Sequence, residues 1–288
     1  MRFGVTGSTG MLGTELLKAI STAGYDAVGL RRSELSHETS LEDTVIFLRA
    51  MNINVLIHCA ANTNVELCEK EPSSCWIENC LFSEILATAA EKLNIKIVFI
   101  SSTGIYGDWK DSAYIEYDKV LPTTVHHESK YNAENFIKSH NRDYLIIRTG
   151  WLFGGNWHSS KNFVANRIKE AKACDGKIYS NATQIGNPTY AKDVAEIIVE
   201  LSTAGHIGVF NCVGDSAASR YEYVAEIVKI AQLSVEVLPA QKSSFNRVAK
   251  VSDNESAENF KLRALGLSSE RPWQDGLKQY ILANREKF

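Results

Sequence analysis

The sequence has no CxxC pair, no excess of basic residues and no apolar run long enough to span a bilayer. Its 31 Lys and Arg stand against 34 Asp and Glu, a formal net charge of −3, which leaves no electrostatic footprint for nucleic acid or an anionic membrane surface. With only 5 Pro and 18 Gly among 288 residues it is neither collagen-like nor low in complexity, and at 44% hydrophobic it is too apolar for a disordered chain. No basic n-region or spanning segment accompanies the opening Met1-Arg2-Phe3-Gly4-Val5-Thr6, so a cytoplasmic location is expected. The six cysteines, at 59, 68, 75, 80, 174 and 212, are then expected to be reduced and structural, Cys59 within a buried strand. A zinc site built from Cys68, Cys75, Cys80 and a histidine would follow no standard spacing, and no metal site is expected.

What is present is an alternation of short apolar runs and helix-period segments. Residues 2–6, 26–30, 54–60, 96–101 and 144–149 read as strands, with helices to about 23 and over 41–51, 74–93 and 127–139. Strands apolar at nearly every position, with helices between them, predict an α/β fold: a Rossmann-type, doubly wound parallel sheet. After Gly150 the rhythm changes, with helices expected over 163–173, 191–202 and 220–231 and a strand over 208–213. The reading is a dinucleotide-binding domain over 1–150, its sheet completed by about 191–213. A smaller C-terminal substrate lobe is assigned to 151–190 and 214–288.

Between the first strand and first helix, Gly7, Gly10 and Gly13 fall at spacings of three in Thr6-Gly7-Ser8-Thr9-Gly10-Met11-Leu12-Gly13. A dinucleotide pyrophosphate must approach backbone amides at a helix N-terminus, and side chains there would block it. Gly7, Thr9, Gly10, Met11, Leu12 and Gly13 are therefore candidate cofactor contacts. Where a carboxylate would select the free ribose hydroxyl of NADH, the second strand ends in Leu30-Arg31-Arg32-Ser33. Arg31 and Arg32 suit a 2′-phosphate, so NADPH is the expected cofactor, with NADH as the alternative.

With this turn, five further segments make the chain resemble the extended short-chain dehydrogenase/reductases, and more narrowly their dTDP-4-dehydrorhamnose reductase-like branch. His58-Cys59-Ala60-Ala61-Asn62-Thr63 stands where the family lines its cofactor, Asn79 falls on a family helix asparagine, and Arg148 to Gly154 resembles an RTSWVYG stretch. Gln184-Ile185-Gly186-Asn187-Pro188-Thr189-Tyr190 is similar to the QxGxPT(Y) signature, and Trp273 with Leu277 to the last helix. The resemblance covers nearly the whole chain. It implies an NADPH-dependent oxidoreductase reducing a 4-keto-6-deoxy nucleotide sugar in deoxysugar or polysaccharide synthesis. It adds Cys59, Ala60, Ala61, Asn79 and Lys130 to the cofactor contacts and leaves a homodimer open.

The family's chemistry uses a Ser or Thr after the fourth strand to orient the carbonyl and a Tyr-x-x-x-Lys to deliver the proton and hold the ribose. Ser102 fills the first place, with Thr103 beside it, and Lys130 fills the last. Four residues before Lys130 stands His126, not tyrosine. Tyr131, about 100° further round the helix, cannot substitute. Two readings follow: His126 is the proton donor of an altered reductase, or the chain is a catalytically impaired NAD(P)-binding regulatory or partner subunit. Trp151, Asn162, Arg247 and Thr103 are the candidate substrate contacts, and the tract from Glu66 to Glu71 reads as a solvated helix face.

Overall fold

The apolar runs assemble into one six-stranded parallel sheet in the computed structural model, which describes residues 1–245, 247–267 and 271–288. Its strands are β1 (Arg2–Thr6), β2 (Asp26–Leu30), β3 (Val55–His58), β4 (Lys96–Ser102), β5 (Tyr144–Thr149) and β6 (Gly208–Asn211), in the spatial order β6-β5-β4-β3-β1-β2. β1 pairs with both β2 and β3, bringing Thr6 opposite Leu30 and His58. The chain reverses its winding direction there, and such a switch point opens a crevice at the carboxyl ends of the strands.

Strand pleating sends alternate residues of β4 to opposite faces. Val98 and Ile100 pack with Leu12, Leu16 and Ile20 of α1 (Met11–Thr22) and with residues of a later helix, Ala191–Thr203. Ile97 and Phe99 pack with Leu48 of α2 (Leu41–Ala50) and Leu86 of a helix over Phe82–Leu93. Each such buried aliphatic side chain contributes about 1.5–3 kcal/mol of transfer free energy.

The single helix expected over 74–93 is instead a series of pieces. Preceding it is α3 (Val65–Lys70), capped by Asn64; Pro72 then opens α4 (Pro72–Trp76), because proline has no N–H to continue the α3 ladder. A π-turn over Ile77–Leu81 follows, carrying Asn79, and α5 (Phe82–Leu93) runs on from it. α6 (Val125–His140) begins two residues earlier than expected, at the Thr124 cap, so His126 lies in its first turn.

Beyond β5, helices α7 (Phe163–Ala173), α8 (Ala191–Thr203), α9 (Arg220–Ile230), α10 (Phe260–Ala264) and α11 (Trp273–Ala283) alternate with short two-stranded pairings. Phe153, Trp157, Tyr223, Trp273 and Tyr280 form an aromatic core there. The QxGxPT(Y)-like segment is its hub. Asn187 donates to Gly214 and Ser216 carbonyls and accepts from the Ala257 amide, while Thr189 bridges the Asn187 carbonyl and Gly214 amide. Among the described residues, no helix is long and apolar enough to cross a membrane.

Candidate active site

The glycine turn is shaped by two close approaches. Gly7 adopts φ +62°, and a Cβ on it would lie 2.8 Å from the Ala60 amide nitrogen, so only glycine lets the loops after β1 and β3 meet. A Cβ on Gly13 would overlap the Gly7 carbonyl. Gly10 begins α1 without a side-chain cap, and the first turn holds no acidic residue. The amides of Met11, Leu12 and Gly13 are thus left for an external anion, although the Leu12 side chain itself is buried in the core. Such a bare, electropositive helix end fits a dinucleotide pyrophosphate. Thr9 is exposed beside it, and Cys59, Ala60 and Ala61 continue β3 along one wall. At the end of β2 the arginines diverge: Arg32 is paired with Glu78 at 2.8 Å, whereas exposed Arg31 makes no ion pair among the described residues.

A hydrogen-bond relay ties this cradle to Asn79. The Ala60 amide donates to Thr6 Oγ1 at 3.2 Å, Thr6 Oγ1 lies 2.8 Å from His58 Nδ1, and His58 Nε2 lies 3.1 Å from Ser83 Oγ. Ser83 donates to the Asn79 carbonyl at 2.6 Å. Burial holds His58 down at about 3, so the relay passes through a neutral ring. Asn79 in turn clasps the backbone of Asn62, accepting from its amide at 2.7 Å and donating to its carbonyl at 3.1 Å. Asn79 therefore holds the wall of the cradle through Asn62.

At the end of β4, Ser102 Oγ accepts from the Gly104 amide at 3.2 Å and caps a short 3₁₀ turn. Capping uses only a lone pair, so the hydroxyl proton remains free to donate. Thr103 is buried against Gly150, where a Cβ would overlap its hydroxyl oxygen. Lys130 is 5% exposed; its Nζ donates to the Ile100 carbonyl at 3.0 Å and stands 4.6 Å above the Phe99 ring. Burial pushes its ammonium down to about 8. Tyr131 faces elsewhere, under the Lys138 ammonium.

His126 is buried, and its Nδ1 donates to the Asn62 carbonyl at 3.0 Å. A carbonyl only accepts, so Nδ1 carries the proton. Burial, followed by His127 and Lys130, lowers its pKa to about 3. The proton-donor role expected of His126 does not fit these surroundings, because its N–H is committed and a second proton is disfavoured. His127 is also buried and held at about 4; its ring lies over Gly104, where a Cβ would overlap it.

Around His126 the structure assembles a group that the spacing did not foretell. Donor atoms of Cys68, Cys75 and His126 lie within 4.8 Å of one another, all three buried. Cys80 is not among them; it donates to Glu84 at 3.3 Å. The tract from Glu66 to Glu71 is also more than a solvated face. Glu66 takes bonds from Arg247, Val248 and Ala249, and Glu69 accepts from the Val125 amide at the start of α6.

The remaining sequence candidates divide. Asn162 is spent internally: it caps α7 through the Ala165 amide and donates to the Asn156 carbonyl and the Tyr280 hydroxyl. Arg247 pairs with Glu66 at 2.7 Å, so it fastens the C-terminal lobe to α3. Trp151 holds a left-handed backbone at φ +46°, strain of the kind that accumulates at functional sites. Its indole N–H donates to Glu255 at 2.8 Å, and Arg220 covers its face at 3.4 Å. Sequence reading missed Arg220 and Glu255. The Arg220 guanidinium makes no ion pair among the described residues, and burial lowers it to about 10. The only local cue was its place inside the Ser219–Glu222 capping box, at the first position of α9.

A model of the RmlD substrate binding domain family matches residues 1–285. Among curated proteins, the chain is 29% identical over 290 residues to dTDP-4-dehydrorhamnose reductase of Aggregatibacter actinomycetemcomitans, covering 95% of this chain and 96% of that one. It is 25% identical over 279 residues to the spore coat polysaccharide biosynthesis protein SpsK of Bacillus subtilis (strain 168), covering 96% and 95%. Among solved structures, the dTDP-4-dehydrorhamnose reductase of Bacillus anthracis in complex with NADP superposes with a TM-score of 0.92 at 27% identity, covering 98% of this chain and 99% of the other.

Proposed function

The chain belongs to the RmlD substrate binding domain family, and on that premise we propose that it is an NADPH-dependent reductase of a 4-keto-6-deoxy nucleotide sugar. One observation carries the reading: the uncapped start of α1 opens at the carboxyl end of the sheet, where β4 ends in Ser102 and Lys130 reaches the Ile100 carbonyl. The relatives named as dTDP-4-dehydrorhamnose reductases, one of them bound to NADP, support the substrate class and the cofactor. NADPH supplies the hydride. The amides of Met11, Leu12 and Gly13 hold its pyrophosphate, and Arg31 meets its 2′-phosphate. Ser102 donates to the sugar carbonyl and fixes its direction. Lys130, an ammonium on the face of α6 that carries His126 one turn earlier, holds the ribose and is the proton source for the developing alkoxide. His126 occupies the tyrosine's position without its chemistry. Arg220, stacked on Trp151, is the cation we assign to the substrate's diphosphate.

The test is NADPH oxidation with a dTDP-4-keto-6-deoxy sugar, followed for wild type, Lys130→Met and His126→Tyr. Wild type turns over, and Lys130→Met falls by about 10²–10⁴-fold, the usual contribution of a positioned acid. If wild type binds NADPH without turnover and only His126→Tyr reacts, the chain is the impaired binding subunit instead.

A further inference from the structure

We propose that Cys68, Cys75 and His126 form a binding site for a soft divalent metal ion of the zinc class, clasping α3 and α4 to the first turn of α6. The three residues come from three separate elements, and their donor atoms converge within 4.8 Å. Donors on one tetrahedral zinc lie about 3.8 Å apart, from bond lengths of about 2.3 Å to sulfur, so modest side-chain shifts close the site. Both cysteines are fully buried and free rather than joined in a disulfide.

The donor chemistry selects the ion. Two sulfurs and an imidazole suit zinc or a similarly soft ion, and they do not suit magnesium or calcium, which take oxygen ligands. The Asn62 carbonyl lies 3.0 Å from His126 Nδ1 and 3.8 Å from Cys68 Sγ, so a fourth donor is at hand. Polar groups already bear on one of the two sulfurs. Asn79 Nδ2 donates to Cys75 Sγ at 3.3 Å, and Ser129 Oγ lies 3.5 Å from the same sulfur. Such outer contacts orient metal ligands and tune them. The charges also balance. Each thiol gives up its proton to solvent as the ion enters, the His126 proton passes from Nδ1 to Nε2 so that Nδ1 is free to ligate, and two thiolates cancel the dication beside the Lys130 ammonium. No oxidation or reduction is involved. The clasp joins segments that otherwise meet through the Glu69 bond to the Val125 amide and the hydrogen bonds of Asn79.

The experiment needs neither sugar nor NADPH, so its outcome is independent of the reductase reading. Purified full-length protein is freed of metal under reducing conditions and titrated with Co²⁺, then with Zn²⁺ in competition. Wild type takes up one Co²⁺ per chain, with a thiolate-to-cobalt charge-transfer band and the visible bands of a tetrahedral ion, and Zn²⁺ displaces it. Cys68→Ser and Cys75→Ser lose the charge-transfer intensity of one sulfur each, Cys80→Ser keeps the full band, and Asn79→Ala binds about 10–100-fold more weakly. Wild type that shows no charge-transfer band while both thiols react freely would overturn the proposal. So would a band unchanged in Cys68→Ser and Cys75→Ser. The wild-type titration decides even where a variant fails to fold.

Discussion

At the scale of single residues, Gly104 and His127 are cut to fit each other. The imidazole occupies the space of the missing Cβ, so Gly104→Ala overpacks the turn that presents Ser102. An overpacked site costs about 1–3 kcal/mol, which urea unfolding of the variant reads directly; unchanged stability would show that the ring has room to move. Asp118 offers a pH-dependent case. Burial alone would raise its carboxyl, but the bonds from Lys110 at 2.6 Å and from the Ile115 amide at 2.8 Å outweigh burial and hold it below its ordinary value. A carboxyl lowered in the folded state stabilises above its unfolded pKa of about 3.9 and loses that contribution as pH falls through the folded value. Wild type is therefore expected to exceed Asp118→Asn in stability at pH 7, the gap closing in acid; a gap independent of pH would contradict the assignment. The placement of the glycine turn before α1 was legible from its spacing, and that of Ser102 at the end of β4 and Lys130 on α6 from the family resemblance. The partners of His126 were not, since Cys75 and Asn62 lie 51 and 64 positions away in the chain.

Among the elements, α6 carries both Lys130 and the clasp residue His126, and its anchorage decides their geometry. Glu134 and Arg148 join α6 to β5 through a buried two-bond pair, at 3.0 and 2.7 Å, and Arg148 also donates to the Tyr106 hydroxyl at 3.0 Å. Glu134→Leu leaves a buried guanidinium uncompensated and is expected to cost about 3–5 kcal/mol in denaturant unfolding. Replacing Arg148 by Met in the same chain should recover part of that loss; a double variant no more stable than the single would point to packing rather than charge. The helices themselves were readable from their apolar period, but their ends were not. Pro72 and the π-turn at Asn79 split a segment whose period looks continuous. The Thr124 cap extends α6 over Val125 and His126, which carry no helix signature of their own.

For the whole molecule, the parallel sheet was legible because each strand is a continuous apolar run, the pattern that burial on both faces demands. The C-terminal half was legible only in part. Its strand pairings involve as few as two residues, fixed by distant partners such as Asn187 with Ala257 rather than by local propensity. Trp151 was found from its place after β5, whereas Arg220 came into view only when α9 brought it onto the indole face. In the proposed reading the two halves divide the labour, the carboxyl end of the sheet holding the dinucleotide and the later segments meeting the sugar nucleotide. That division rests on hydride passing from one ligand to the other, and isotope transfer measures it directly. NADPH deuterated at the transferring position of its nicotinamide is incubated with the protein and a dTDP-4-keto-6-deoxy sugar, and the sugar product is read by mass spectrometry and NMR. The account predicts one deuterium at C4 of a newly reduced sugar; an unreduced sugar with all deuterium retained in bound NADPH would contradict it.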